Sequence, residues 1–368
     1  MTLHAYFARK FLKIFAGLLL VFAVMITLLD MVEQLRRFDA AEIALSGAFE
    51  LAMLAMPQAL HRILPLVVIL ATLALFLGLA RTSELVVTRA AGRSALRALI
   101  APALVAVAIG ATAVAVLNPL VAATLQSYDI RAAELSDGET RTLSISEEGL
   151  WLRQGSDEGQ TVIRAAHADG EGTRFGEVTF TDYATGEGSR DGPVRRIEAA
   201  EAVLTPGAWE LADVKVWNLQ QANPEATAER HATLTVPTTL TRAEIIDGVG
   251  VPAAVPIWEL PARIASLDEA GFSARQHRIW LQMELATPLF LVGMVLIGAG
   301  FTMRHTRFGR TGVMVLLALL MGFGAYFVRN LAQILGEDGQ IPVMLAAWAP
   351  PAAAVLMSLG LLLHLEDG

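Results

Sequence analysis

The chain is 368 residues long, 54% hydrophobic and only 17% charged, with a formal net charge of −8. Soluble domains carry about a quarter charged residues, so this composition excludes an ordinary soluble protein and places the chain in a membrane. It has no cysteine, which excludes disulfides, thiolate chemistry and cysteine zinc sites.

The apolar residues cluster into runs near the roughly 20-residue length that crosses about 30 Å of hydrocarbon. The first is Phe11 to Leu29, flanked by Arg9, Lys10 and Lys13. It is too long for a signal peptide and no small-residue cleavage site follows, so an uncleaved span is expected. It ends in DMVEQLRRF, where Asp30, Glu33, Arg36 and Arg37 fall three or four residues apart and share part of one helix face. That spacing predicts a helix that continues past the bilayer surface. A second span runs from about Pro57 to Ala80, with Pro65 tolerated where neighbours or water satisfy the freed carbonyl.

Between this span and a third, Leu99 to Leu125, lies the charged stretch RTSELVVTRAAGRSALR, residues 81–97. Ser83 can cap a helix with Glu84 in its first turn, and Gly92 can close it, giving a short amphipathic helix over about 82–92. Such a helix is either a capped connection or a piece that enters a partner's groove. Within the third span, Asn118-Pro119 is expected to kink the helix or begin its outward extension.

Over 127–275 charged residues return and short alternating runs appear between Gly, Asp and Pro breaks: RTLSI, FGEVTFTDY, RRIEAAEAVL, WELADVKVWNL, HATLTVP. In WELADVKVW the large apolar residues alternate with one slip near Asp213, the mark of a bulge. This predicts a mainly β domain, a sandwich or jelly roll rather than a closed barrel. Three more spans close the chain, Arg278 to Met303, Thr311 to Leu335 and Val343 to Leu365, joined by basic RHTRFGR and acidic GEDGQIP.

Threading six spans puts Arg9, Lys10 and Lys13, then Arg81, Arg89, Arg93 and Arg97, then Arg304, Arg307 and Arg310 on one side, which the positive-inside rule makes cytoplasmic. The fold expected is thus membrane α-helical, six transmembrane helices in a 3+3 arrangement, with a mainly β, jelly-roll-like domain between helices 3 and 4 on the outer face. The domains are 1–126, 127–275 and 276–368, with both termini in the cytoplasm. No GxxxxGK[ST] motif occurs, so a nucleotide would have to be handled by a partner. The histidines show no pair at metal-ligand spacing, and no metal site is expected.

SELVVTRAAGRS resembles the cytoplasmic segment of the LptF/LptG family of lipopolysaccharide-export permeases, in which an S-E-L-x-x-x-x-A-x-G pattern follows the second span. DMVEQLRRF resembles the first-span ending of the family's LptG branch. GLWLRQG and TPGAWELADV resemble segments of its periplasmic domain. Pro288, GFGAYFV and IPVMLAAWAPP follow the pattern of its last spans.

The resemblance implies an inner-membrane half-transporter, not itself an enzyme, of the LptG type paired with an LptF-type paralogue or, alternatively, itself the LptF paralogue of the same complex. An LptB ATPase dimer beneath would bind ATP and Mg, LptC would attach beside it, and the periplasmic bridge protein LptA would receive lipopolysaccharide. On this chain it implies Glu84, Leu85, Val86, Arg89, Ala90 and Gly92 as the ATPase-coupling residues. Lipopolysaccharide carries phosphates above its acyl chains, so Arg36, Arg37, Arg62 and Arg131, near the outer ends of the spans, are the expected lipid-binding residues. Against this, arginines at span ends also snorkel to the interface without binding anything. Asp30 and Gln58 depart from the family's rim, and Asp30 and Glu33 could pair instead with Arg36 and Arg37.

Other classes remain open. An ion-coupled secondary transporter would more naturally show repeats and broken helices at midplane. An intramembrane enzyme would need a constellation such as HExxH, GxSxG or paired aspartates, none of which occurs. A lipoprotein-release permease would have four spans. Glu284, Arg329 and Asn330 are costly in lipid and are expected to face protein or a watery cavity.

Overall fold

A computed structural model describes residues 2–37, 45–84, 95–135, 143–146, 149–156, 159–168, 173–184, 192–221, 223–238, 240–242, 245, 250–269, 273–303 and 311–367. The chain divides into two compact units, one of Met1–Asp137, Ala253–Trp258 and Arg275–Gly368, the other of Gly138–Pro252 and Glu259–Ala274.

The first unit is helical. Helices α1 (Thr2–Arg37), α2 (Leu45–Arg81) and α3 (Ala95–Thr112) lead through a π turn (Ala113–Leu117) into α4 (Asn118–Leu135). After the β insert, α6 (Arg275–Thr302), α7 (Thr311–Glu337) and α8 (Val343–Asp367) complete it. Among the described residues six helical stretches are long and apolar enough to cross a membrane, with α3 and α4 forming one of them.

The helices run beyond the apolar runs that announce them. α1 carries on through DMVEQLRR, and α2 begins at Leu45 with Pro57 and Pro65 both inside it. At Asn118-Pro119 the helix does not stop. Proline cannot donate, so the ladder changes step just ahead of it: the Asn118 N–H donates to Ala113 five residues back, one π turn. Asn118 is buried, and its Oδ1 accepts the Ile257 N–H at 2.9 Å.

Burial is uneven. α2 and α6 are mostly covered, and with Phe7, Phe11 and Phe15 of α1 they supply much of the main apolar core. α6 is allowed close neighbours by small residues: a Cβ at Gly110 of α3 would stand 2.5 Å from Pro288 Cα, so these helices meet backbone to backbone. α1 beyond Phe15 and most of α7 instead leave rows of large apolar side chains exposed, such as Leu20, Val24 and Leu28, and Leu316, Leu320 and Phe327. In water that surface would be prohibitive; in a bilayer, lipid or another apolar helix covers it.

The second unit is an antiparallel sheet of β1 (Leu143–Ser146), β2 (Gly149–Ser156), β3 (Gly159–Ala168), β4 (Arg174–Ala184), β5 (Pro193–Thr205), β6 (Ala208–Asn218) and β7 (Glu229–Pro237), paired in chain order. The expected β insert is therefore present. Its described strands connect as a meander, whereas a jelly roll interleaves its strands between two sheets. The sheet curls: the Thr238 hydroxyl donates to Gln154 Oε1 at 2.6 Å, which brings the end of β2 against the end of β7. Trp209 fills the concave core with Phe175 and Phe180 edge-on to it, and Leu267 of α5 (Leu260–Glu269) packs in.

The slip near Asp213 is real but is not confined to one strand. Buried residues step by two and then by three along β3 (Ile163, Ala165, Ala168), β5 (Ile197, Ala199, Ala202) and β6 (Trp209, Leu211, Val214), and by three and then by two along β4 (Phe175, Val178, Phe180). The steps line up. Ala166, Glu177, Ala200, Asp213 and Ala232 fall at one level, between ladder pairs whose register is unchanged on either side. Because each strand carries its extra residue at the same level, the in/out alternation inverts across the sheet without shifting any partner. Glu177 and Asp213 accommodate the inversion with φ of 50° each, a left-handed backbone rare for residues with a Cβ.

Candidate functional site: two helix ends and an inner cavity

All described members of the expected site except Arg62 lie on or against the two ends of α1. At its N-terminal end Tyr6 and Lys10, one turn apart, reach the segment that follows α2. Tyr6 Oη donates to Glu84 Oε2 at 2.9 Å, and Lys10 Nζ to Glu84 Oε1 at 3.0 Å. The Thr82 hydroxyl donates to the same oxygen at 2.8 Å. Burial disfavours charge on Glu84, but the hydrogen bonds from Lys10, Thr82 and Tyr6 outweigh it and hold the carboxyl below the ordinary carboxylate range.

Ser83 has φ of 56°, and its N–H donates to Ala80 O at 3.3 Å. It thus terminates α2 in a left-handed turn rather than adopting the extended backbone of an N-cap, and that turn presents Glu84 to α1. Leu85, Val86, Arg89, Ala90 and Gly92 lie outside the described residues, as do Arg304, Arg307 and Arg310.

At the C-terminal end of α1, Arg36 and Arg37 are exposed. Arg37 donates to Tyr128 Oη of α4 at 3.3 Å, and buried Gln34 donates to the same oxygen at 3.1 Å. Arg131, one turn past Tyr128, stands 3.7 Å from Glu50 of α2. Ala48, Leu51, Leu35, Tyr128 and Ala132 pack beneath as a small separate core. Arg36, Arg37 and Arg131 thus belong to one collar of three helix ends.

Arg62 is elsewhere. It lines a cavity of about 390 Å³ inside the helical unit, together with Gln58 and His61 of α2, Trp280 and Glu284 of α6, and Arg329, Asn330 and Gln333 of α7. His61 Nε2 and Glu284 Oε2 are 3.2 Å apart there. The Arg329 guanidinium sits 5.3 Å from the centre of the Phe290 ring. Glu284, Arg329 and Asn330 therefore face protein and a polar cavity, which accounts for their presence in an apolar helix.

The β unit has an open cavity of its own, about 710 Å³. Gln154, Thr161, Asp182, Arg195 and Asn218 line it, one from each of five successive strands at one level. Thr161 and Arg195 both bond Asp182, at 2.7 and 2.6 Å.

Sequence reasoning placed Lys10 only as a topological signal and passed over Tyr6 and Tyr128. The i, i+4 spacing of Tyr6 and Lys10 was the available sign that they share a face. The pairing of His61 with Glu284, more than 200 positions apart in the chain, carried no such sign.

Comparison with known proteins agrees with this architecture. Residues 5–364 match the family described as lipopolysaccharide export system permease LptF/LptG. The LptG permease of the lipopolysaccharide export system of Escherichia coli strain K12 is 26% identical over 364 residues, covering 92% of this chain and 91% of that protein. The LptG protein of Escherichia coli O6:H1 strain CFT073 aligns with the same identity and coverage. A match that spans six apolar helices and the inserted β unit in a single alignment makes this chain a member of the LptF/LptG family of lipopolysaccharide export system permeases.

Proposed function

We propose that this chain is the LptG-type half of an ATP-driven lipopolysaccharide exporter of the inner membrane. It pairs with an LptF-type paralogue, and an LptB-type ATPase dimer binds ATP and Mg beneath them. LptC sits beside the pair, and an LptA-type bridge takes the lipid onward. The observation that carries this reading is the alignment with LptG proteins over nearly the whole length of both chains.

The geometry supports the assignment of parts. The end of the unit that holds Lys10 and Glu84 is the cytoplasmic one, where positive charge accumulates. Glu84, with Leu85, Val86, Arg89, Ala90 and Gly92 after it, is the segment the ATPase takes. Arg36, Arg37 and Arg131 at the opposite end meet the lipid phosphates above an apolar wall, and Arg62 serves the same anions from the inner cavity. The exposed apolar faces of α1 and α7 are covered by the paralogue, LptC and the acyl chains in transit.

Co-purification tests this. Co-expressed with LptF- and LptB-type partners from the same organism, the chain should emerge as a stable complex with lipopolysaccharide-stimulated ATPase activity, lost in Glu84→Ala. A second reading, an ion-coupled transporter, draws on one observation: a buried acid beside a histidine at a membrane cavity. It requires that a proton gradient, without any ATPase, drive lipid movement.

A further inference from the structure

We propose that α1 is the transmission element of this permease half, and that Tyr6 and Lys10 are positioning residues that tie its N-terminal end to the docking carboxylate Glu84. The proposal deepens the permease reading and rests on it for the role of Glu84.

Three features of the structure converge. The contact is built from both sides: Tyr6 and Lys10 share a helix face and donate to separate oxygens of Glu84, at 2.9 and 3.0 Å, while the left-handed turn at Ser83 delivers the carboxylate to them. α1 is also continuous from Thr2 to Arg37, with no proline inside, so whatever moves one end moves the other. A helix of 36 residues spans roughly 54 Å at 1.5 Å per residue, more than a bilayer.

Finally, α1 is gripped unevenly. Phe7, Phe11 and Phe15 are buried in the main core, the first two one position after each donor, whereas Leu20, Val24 and Leu28 are exposed. The far end is held again by Gln34 and Arg37, which bond Tyr128, and by Met31 and Leu35, which pack on the small core of Ala48 and Leu51. A rod packed at its N-terminal third and loosely covered along the middle pivots about that third.

The consequence is electrostatic. Glu84 already accepts hydrogen bonds from Tyr6, Lys10 and Thr82, and a carboxylate has about four acceptor positions. A basic group docking on Glu84 must either displace Lys10 or stand beside its like charge. In both cases docking shifts the N-terminal end of α1, and the arginines at its other end shift with it. ATPase engagement and lipid grip thereby become linked equilibria.

The test uses the assembled complex in proteoliposomes and reads lipopolysaccharide released per ATP hydrolysed. Lys10→Met and Tyr6→Phe should each leave hydrolysis running but lower that ratio about two- to fivefold, the range a partly exposed ion pair supplies. The charge swap Lys10→Glu with Glu84→Lys should restore the α1 contact, measured as the thermal midpoint of the isolated chain, without restoring ATPase assembly. In a Glu84→Gln background, Lys10→Met should lower the thermal midpoint of the isolated chain by less than it does in the wild type.

If Lys10→Met and Tyr6→Phe leave the ratio unchanged in an intact, lipid-stimulated complex, or if Lys10→Met lowers the thermal midpoint equally in the wild-type and Glu84→Gln backgrounds, the proposal is overturned and the permease reading survives. If the wild-type chain recruits no ATPase at all, the permease reading fails, and the docking role of Glu84 fails with it.

Discussion

His61 Nε2 lies 3.2 Å from Glu284 Oε2 inside the helical unit, and Glu284 is only 1% exposed. Neither atom has a well-aligned hydrogen bond among the described residues, so the neighbouring imidazole and the polar lining of the cavity, Arg329 included, are what make the carboxyl group tolerable there. Removing one partner of a buried pair leaves the other uncompensated, whereas replacing both by apolar groups is often close to neutral. His61→Leu should therefore lower stability by about 1–3 kcal/mol, the cost of leaving a buried polar group without its partner, and His61→Leu with Glu284→Leu should recover most of that loss. Thermal unfolding of the purified chain in detergent reads the sign of the interaction; additive losses would contradict the pairing.

Glu84 has a definite pH signature. Its carboxyl titrates below the ordinary value of 4.5, so it is more easily ionised in the folded chain than in the unfolded one. A depressed acid contributes stability that is fully present above the unfolded value and is lost as pH falls through the folded one. The difference in thermal midpoint between wild type and Glu84→Gln should accordingly be flat from pH 7 to about pH 5 and shrink below about 4.5. A difference that grows on acidification would mean that Lys10 and Tyr6 do not hold the ionised form.

At Gly110 the missing side chain matters. A Cβ would meet the Pro288 backbone at 2.5 Å, and backbone cannot swing aside, so α3 and α6 would have to separate. Gly110→Ala should cost about 1–3 kcal/mol through overpacking. Gly17→Ala on α1, where nothing lies within 4 Å, should be neutral or slightly stabilising. Equal effects at the two positions would count against the close approach.

In the sheet, Asp213 occupies a left-handed conformation that glycine adopts without steric cost. Asp213→Gly should be neutral or stabilising by up to about 1 kcal/mol, and Asp213→Val destabilising by more than that, because a β-branched side chain at positive φ is a true outlier. Hydrogen exchange along β5 to β7 in the two variants checks the order.

Much of the architecture could be read from the chain because its causes are local. Runs such as Phe11 to Leu29 are apolar in every direction and need only be counted, and the return of charge with period-2 alternation after Ser127 marks the β insert without reference to anything else. Even the pleat inversion left a trace, since Trp209, Leu211 and Val214 break step in the sequence. What the chain did not show is that the same break recurs at one level across five strands, because that alignment is a property of the register and not of any one segment.

The site was legible where it rested on a contiguous motif and hidden where it rested on tertiary contact. Glu84 stood out within SELVVTRAAGRS, but the turn at Ser83 that aims it and the Tyr6 and Lys10 donors that receive it come from packing α1 on α2. The four arginines read as one set by their closeness to span ends. Arg36, Arg37 and Arg131 do share a collar of helix ends, while Arg62, itself exposed, borders the cavity that His61 lines, a distinction set by which face of α2 meets α6 and α7.

The proposed coupling of ATP hydrolysis at one membrane face to lipopolysaccharide release at the other underlies every role assigned to these residues. Its most direct test is ATP-dependent transfer of lipopolysaccharide to an LptA-type acceptor from proteoliposomes holding this chain with LptF-, LptB- and LptC-type partners. Wild type is compared with Glu84→Ala and with Arg36→Ala/Arg37→Ala. Glu84→Ala should abolish both hydrolysis and transfer, and the arginine pair should weaken transfer while hydrolysis persists. Transfer that proceeds at the wild-type rate in both variants, or that needs no ATP, would contradict the coupling.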